Sequence, residues 1–238
     1  MDALDRSIRV LGEDHIRTRN VRGAVAGLDW TMGRYELALA RTDSVLAAKW
    51  RAHGGDHPGI VLSLVNAGQI LLEAGRPREA QARLEEAMAM GERLGGTEGV
   101  YGSLIRAQSG MVALDRGETA VADSLLELAF TLARENLRED HRYVLEIQRM
   151  RAQVRLARGD APGALALLGP VALAEARVRP DPHPRRGETE LLRGTALLEL
   201  GDGDGARRSF READRQFAEL PPAHPFRVRV REGLADAG

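Results

Sequence analysis

Apolar residues recur along this chain at steps of three and four, the spacing that gathers them on one face of a helix. Leu64, Ala67, Gly68 and Leu71 show the pattern, with Asn66 and Gln69 between them. No stretch alternates apolar with polar as a half-buried strand does. The pattern predicts first helices over 17–31, 59–73, 101–115, 143–157 and 186–199. It predicts second helices over 35–52, 77–94, 119–137, 161–177 and 204–219. Gly54-Gly55, Gly95-Gly96 and Arg179-Pro180-Asp181-Pro182 interrupt the chain between pairs.

The helices follow a strict period. Gly33 with Ala38, Gly75 with Ala80, Gly117 with Ala122, Gly159 with Ala164 and Gly201 with Ala206 repeat one step every 42 residues. Such self-similarity marks a solenoid of small units stacked on their neighbours. The fold class expected is all-α, a solenoid of antiparallel helix pairs.

Seven residues before each Gly stand Ala26, Gly68, Gly110, Ala152 and Gly194, small enough for two helices to approach. The five Ala lie across that contact. Large residues flank it: Trp30, Leu72, Leu114, Leu156 and Leu198 before the Gly, and Leu84, Leu126, Leu168 and Phe210 after the Ala. Trp30 is therefore expected in the core.

Five full units occupy 15–223. Residues 2–14 match 44–56 one period later, and residues 1–14 form a half-unit, either a cap or the continuation of an upstream part, the latter being favoured. Residues 224–238 are expected to be a C-terminal cap helix whose Arg227, Arg229 and Arg231 solvate the end of the stack. Asp before a helix is expected to cap it, as at Asp14, Asp56 and Asp140, and Asp204 is expected to cap a second helix.

Composition narrows the chemistry. Basic and acidic residues number 34 and 35, a net charge of −1, which gives no general pull toward nucleic acid or an anionic membrane. Lys49 is the only Lys, a bias attributed to a GC-rich genome. The chain has no Cys, excluding disulfides and thiolate metal sites. Met1 to Val10 is charged and lacks the apolar core of a signal peptide. The apolar run Ile60 to Leu72 is too short to span a bilayer. A cytoplasmic protein is expected.

No phosphate loop, Cys nucleophile or Ser elbow is present, so no enzyme activity and no cofactor are expected. His15, His57, His141 and His183 hold the period, and His224 is one residue off it. Stacked units separate them too widely to share a metal, which leaves a structural role at helix starts. Gly201-Asp202-Gly203-Asp204-Gly205 fails as a calcium loop, with Arg207 and Ala213 where Gly and Glu are needed.

With Asp56-His57-Pro58, then Leu64 to Gly68, Leu72, Gly75 to Ala80 and Leu84 to Ala87, the second unit resembles the tetratricopeptide repeat (TPR). The long period and His-Pro start are similar to the repeats of kinesin light chains and of bacterial multidomain proteins, some of them serine/threonine kinases. The resemblance implies an all-α right-handed superhelical α-solenoid and a non-enzymatic scaffold that binds a peptide of a protein partner in a concave groove lined by first helices. By that analogy the groove stripe holds Asn20, Asn66, Gln69, Gln108, Met111, Glu146, Met150, Gln153 and Thr195, with Leu62, Leu104, Glu188 and Leu192 alongside. Asn66 and Gln108 fall in one column and suit a ladder along a bound strand.

Arg106, Arg151, Arg155 and Arg193 stand where the family carries apolar residues, so units three to five are expected to pack more loosely or with a rotated first helix. Rotated outward, these Arg form an alternative basic stripe for an acidic or phosphorylated partner. The alternative function is a regulatory or sensor region of a larger bacterial signalling protein, a kinase or transcription regulator. No nucleic acid and no membrane are expected as partners, and self-association would use the N-terminal half-unit.

Overall fold

The computed structural model describes residues 3–238; Met1 and Asp2 of the opening half-unit lie outside the described residues. The chain divides into two units, one up to Asp115 and one from Arg116 to Gly238. Every regular element among the described residues is an α-helix.

The N-terminal unit contains α1 (Ala3–Leu11), α2 (Ile16–Thr31), α3 (Tyr35–His53), α4 (Pro58–Glu73), α5 (Pro77–Arg93) and α6 (Val100–Asp115). Each helix packs on the next, and α4 also touches α6. The C-terminal unit contains α7 (Thr119–Asn136), α8 (Arg142–Ala157), α9 (Ala161–Val178), α10 (Pro184–Glu199), α11 (Gly203–Gln216) and α12 (Pro225–Asp236). Again each helix packs on the next, and α10 also meets α8 and α12. Each unit is a stack of TPR-like helix pairs.

The repeating Gly has a backbone cause. Gly33, Gly75, Gly117, Gly159 and Gly201 all take positive φ, between 73° and 78°. This left-handed conformation ends the first helix and suits Gly because it has no Cβ. At four of the turns the next amide reaches back to a carbonyl five residues earlier, as in Arg34 N to Asp29 O (2.8 Å) and Asp160 N to Arg155 O (2.9 Å). That bond satisfies an otherwise orphaned carbonyl.

The repeating Ala has a packing cause. Ala38, Ala80, Ala122, Ala164 and Ala206 are all fully buried. Opposite them the small column is tight: a Cβ on Gly68 would lie 3.0 Å from the Leu84 side chain, and one on Gly194 would lie 2.6 Å from the Phe210 ring. The large residues before the Gly, Trp30 included, are only half-buried. Trp30 instead extends its indole nitrogen to Glu73 Oε2 at 2.7 Å. A Trp ring covers apolar surface while its N–H seeks an acceptor, and an edge position satisfies both.

The first helices start on His rather than on Asp. The Nδ1 of His15, His57, His141, His183 and His224 accepts from the backbone N–H two residues on, at 3.0–3.2 Å. Asp14 and Asp56 pair with Arg51 and Arg93 instead, and Asp140 with Arg138. Asp202, not Asp204, caps α11 by accepting from Gly205 N, while Asp204 pairs with Arg207. In the C-terminal cap Arg227 and Arg231 bond the carbonyls of Leu220 and Pro222, so they fasten the loop before α12.

α6 lacks a capping His, and another device holds its start. Arg106 Nη1 donates to Thr97 O at 2.7 Å and to Gly102 O at 3.2 Å. A Cβ on Gly102 would fall 1.7 Å from Thr97 O, so only Gly lets this loop fold back onto the helix. α9 is long and apolar enough to cross a membrane by composition alone. Here it packs between α8 and α10 with Glu175 completely buried on its inner side.

Candidate functional site

In the N-terminal unit Asn20 on α2 and Asn66 on α4 are exposed. Leu62 and Gln69 on α4 and Met111 on α6 are half-buried. Gln108 is 4 % exposed, and Leu104 beside it is buried. Although α4 and α6 pack side by side, the two amides expected to form one ladder differ in access to solvent. The open surface of this unit's first helices is therefore carried by α2 and α4.

In the C-terminal unit Met150 and Leu192 are buried, whereas Gln153 on α8 and Thr195 on α10 are half-buried. The Thr195 hydroxyl is turned onto its own helix, donating to Leu191 O at 3.0 Å. Glu146 and Glu188 are brought together around Arg185, Glu188 at 2.9 Å and Glu146 at 3.8 Å. The acidic members of the stripe thus belong to an ion-pair network.

That network has a buried centre which sequence reasoning missed. Arg149 on α8 is 2 % exposed and Glu175 on α9 is 0 % exposed. Arg149 Nη1 donates to Glu175 Oε1 at 2.5 Å, and the Thr189 hydroxyl on α10 donates to Oε2 at 2.7 Å. Arg179 Nε lies 3.3 Å from Glu175 Oε1, and Arg149 Nε 3.7 Å from Glu188 Oε2. Burial pushes the Glu175 carboxyl up from its ordinary value, and the Arg149 charge, the Thr189 hydroxyl and Arg179 pull against it. The signal in the sequence was Arg149 and Glu175 at positions where a helix pair needs apolar residues. Asp29 gave the same signal, four residues before Gly33 in an otherwise mostly apolar column, and it is buried between Arg34 and Arg41.

The four Arg of the alternative stripe all have partners within their own unit. Arg106 holds the α6 loop. Arg151 pairs with Glu127, donates from Nη1 to Gln148 Oε1 at 2.7 Å and lies 4.4 Å over the Phe130 ring. Arg155 faces Asp160 at 3.5 Å and Arg193 faces Glu190 at 2.7 Å. Each acts as a local tie. At the other end of the chain Val10, Leu11 and Ile16 of the opening helices are exposed.

The comparisons with known proteins agree with this geometry. Residues 32–93 match the family described as tetratricopeptide repeat. The structure of BtubC (BKLC) from P. vanneervenii is similar, with a TM-score of 0.63 at 16% identity over 94% of this chain and 95% of that one. Kinesin-light-chain TPR-like repeats described as nearly identical, from Podosopora anserina, align with a TM-score of 0.54 at 19% identity over 92% and 98%. The apo form of RapI aligns with a TM-score of 0.58 at 11% identity over 98% and 86%. No curated protein matches. Residues 32–93 thus carry tetratricopeptide-repeat sequence, and the fold is similar to that of kinesin-light-chain TPR-like repeats.

Proposed function

We propose that this protein is a non-enzymatic interaction scaffold that holds a segment of a protein partner on the surface of its first helices. The observation that carries the reading is the pair of exposed amides, Asn20 and Asn66, at matching faces of α2 and α4 with half-buried Leu62 and Gln69 beside Asn66. Side-chain amides both donate and accept, so they pair with a peptide backbone without demanding charge. Leu62 offers apolar contact next to them. In the C-terminal unit the acidic members of the equivalent stripe are committed to internal ion pairs and Met150 and Leu192 are buried, which gives the N-terminal unit the larger share of binding.

The experiment is affinity capture with the full chain beside an Asn20→Ala, Asn66→Ala double variant of equal helicity by circular dichroism. A protein captured by the parent and lost by the variant supports the scaffold reading. A protein held equally by both overturns the placement on α2 and α4. Light scattering at rising concentration separates this from self-association through Val10, Leu11 and Ile16. No structural observation favours the alternative role inside a larger signalling protein.

A further inference from the structure

The loop between α7 and α8 and the end of α9 border an open cleft of about 630 Å³ in the C-terminal unit. Small-molecule sites commonly fall in this size range. Three basic residues, Arg138, Arg142 and Arg179, line it with one acidic residue, Asp140, the apolar Leu137 and Val178, and Asn136 and His141. Asp140 is paired with Arg138 at 3.0 Å. Arg142 lies 4.5 Å over the Tyr143 ring and has no carboxylate partner among the described residues. Arg179 touches the buried Glu175, yet its Nε makes no hydrogen bond. Positive charge in the cleft therefore exceeds the negative charge available to meet it.

We propose that this cleft binds a small organic anion, an oxyanion head on an apolar body. Guanidinium forks match the geometry of carboxylate and phosphate oxygens. Leu137 and Val178 supply a wall for the body, and the volume far exceeds that of an inorganic oxyanion (a water's share of liquid volume is only about 30 Å³). The site is independent of the scaffold surface on α2 and α4. Asp140 competes with the ligand head for Arg138, and this gives the proposal a sign that a nonspecific charge effect lacks.

The test is isothermal titration of the full chain with phenyl phosphate, benzoate and inorganic phosphate. Saturable one-site binding of phenyl phosphate or benzoate is expected, and the tighter of the two identifies the head group. Arg142→Gln is expected to weaken it by about tenfold, the loss of one charge-assisted contact. Asp140→Asn is expected to tighten it, and Arg93→Gln in the N-terminal unit to leave it unchanged. Melting curves establish that each variant folds; where Arg142→Gln does not, Arg138→Gln and Asp140→Asn carry the test. The proposal is overturned by absence of saturable binding of both aromatic acids, or by equal weakening in Arg142→Gln and Arg93→Gln. Inorganic phosphate binding as tightly as phenyl phosphate overturns the apolar-body half of it.

Discussion

Sixteen residues after the turn glycine, the first repeat carries Lys49 and the fourth carries Glu175. The slot is the same in each unit: late in a second helix, facing the start of the next first helix. The neighbour is also the same, a hydroxyl residue at the equivalent position, Ser63 for Lys49 and Thr189 for Glu175. Ser63 bonds back to Gly59 O and Thr189 to Arg185 O. What differs is how the charge is met. Lys49 Nζ donates to neutral acceptors, Gly59 O at 2.7 Å and Ser63 Oγ at 2.8 Å, and keeps part of its surface in solvent. Glu175 is sealed and answered by two Arg. One slot thus accepts either sign, and the surrounding residues decide whether it becomes a local tie or the centre of a network.

The largest expected effect tests the sealed side. Arg149→Met leaves the Glu175 carboxylate buried with only Arg179 and Thr189 against it. Stripping one partner from a buried ion pair typically costs about 3–5 kcal/mol, and urea unfolding at pH 8 should show a loss of that order. Without Arg149 the folded carboxyl rises further above its ordinary value of 4.5. A raised folded value means stability is fully present below the unfolded value and lost as pH rises through the folded one. The deficit against the parent should therefore shrink toward pH 5. Arg149→Met with Glu175→Met should restore most of the loss, because the uncompensated charge is gone. A deficit that is equal at both pH values would break the account.

Next in size is the helix crossing. Gly194→Ala places a methyl carbon 2.6 Å from the Phe210 ring, which is itself buried against Gly233. A large aromatic with no room to move makes this overpacking, expected to cost about 1–3 kcal/mol. Gly68→Ala meets Leu84 at 3.0 Å, the far end of a flexible side chain, and should cost less. Thermal melts of the two variants side by side check the order. Reversal would mean that the N-terminal crossing is the tighter one.

The backbone of this fold was legible in the sequence because two of its columns admit one solution each. A positive φ at every turn calls for Gly, and a zero-clearance contact calls for Ala. Helix ends came within about three residues of the expected ones because the same columns fix where each helix stops. The polar core was not legible in that way. Arg149 and Glu175 lie 26 residues apart, and a helical pattern read within each segment shows them as two interruptions rather than one pair. The caps were half legible: the His positions were periodic, but imidazole Nδ1 competes with carboxylate as acceptor; Asp14 and Asp56 were drawn to Arg one repeat later, and Asp140 to Arg138 in its own loop. For the candidate surface the column gave the face without the depth. Asn66 and Gln108 share a register, and only Asn66 reaches solvent.

Caps come third. His57→Ala should lower stability by about 1 kcal/mol, as loss of an N-cap acceptor commonly does. Asp56→Ala should lower it less, since Asp56 makes a surface pair with Arg93 and caps nothing. Asp160→Ala, which frees the Gly163 N–H, should resemble His57→Ala. Denaturant midpoints of the three decide whether imidazole or carboxylate starts the helices.

The smallest effect is expected at Lys49, and it returns the comparison to its starting slot. Lys49→Met keeps the apolar stem and removes an ammonium whose water has been partly stripped away. Gly59 O still accepts from Ser63 Oγ at 3.1 Å, so no carbonyl is orphaned. The change at pH 7 should stay within about 1 kcal/mol of zero, the net worth of an ordinary hydrogen bond. Burial, with the nearby Arg19 charge, holds the Lys49 amine below its ordinary value of 10.5. A base with a lowered folded value binds fewer protons folded than unfolded, so the parent gains stability as pH climbs from that value toward 10.5. The variant lacks this gain, and the gap between them should move in the parent's favour as pH climbs toward 10.5. A loss at pH 7 as large as that of Arg149→Met would show that Lys49 anchors its unit as Glu175 anchors the other, and the contrast between the two slots would fall.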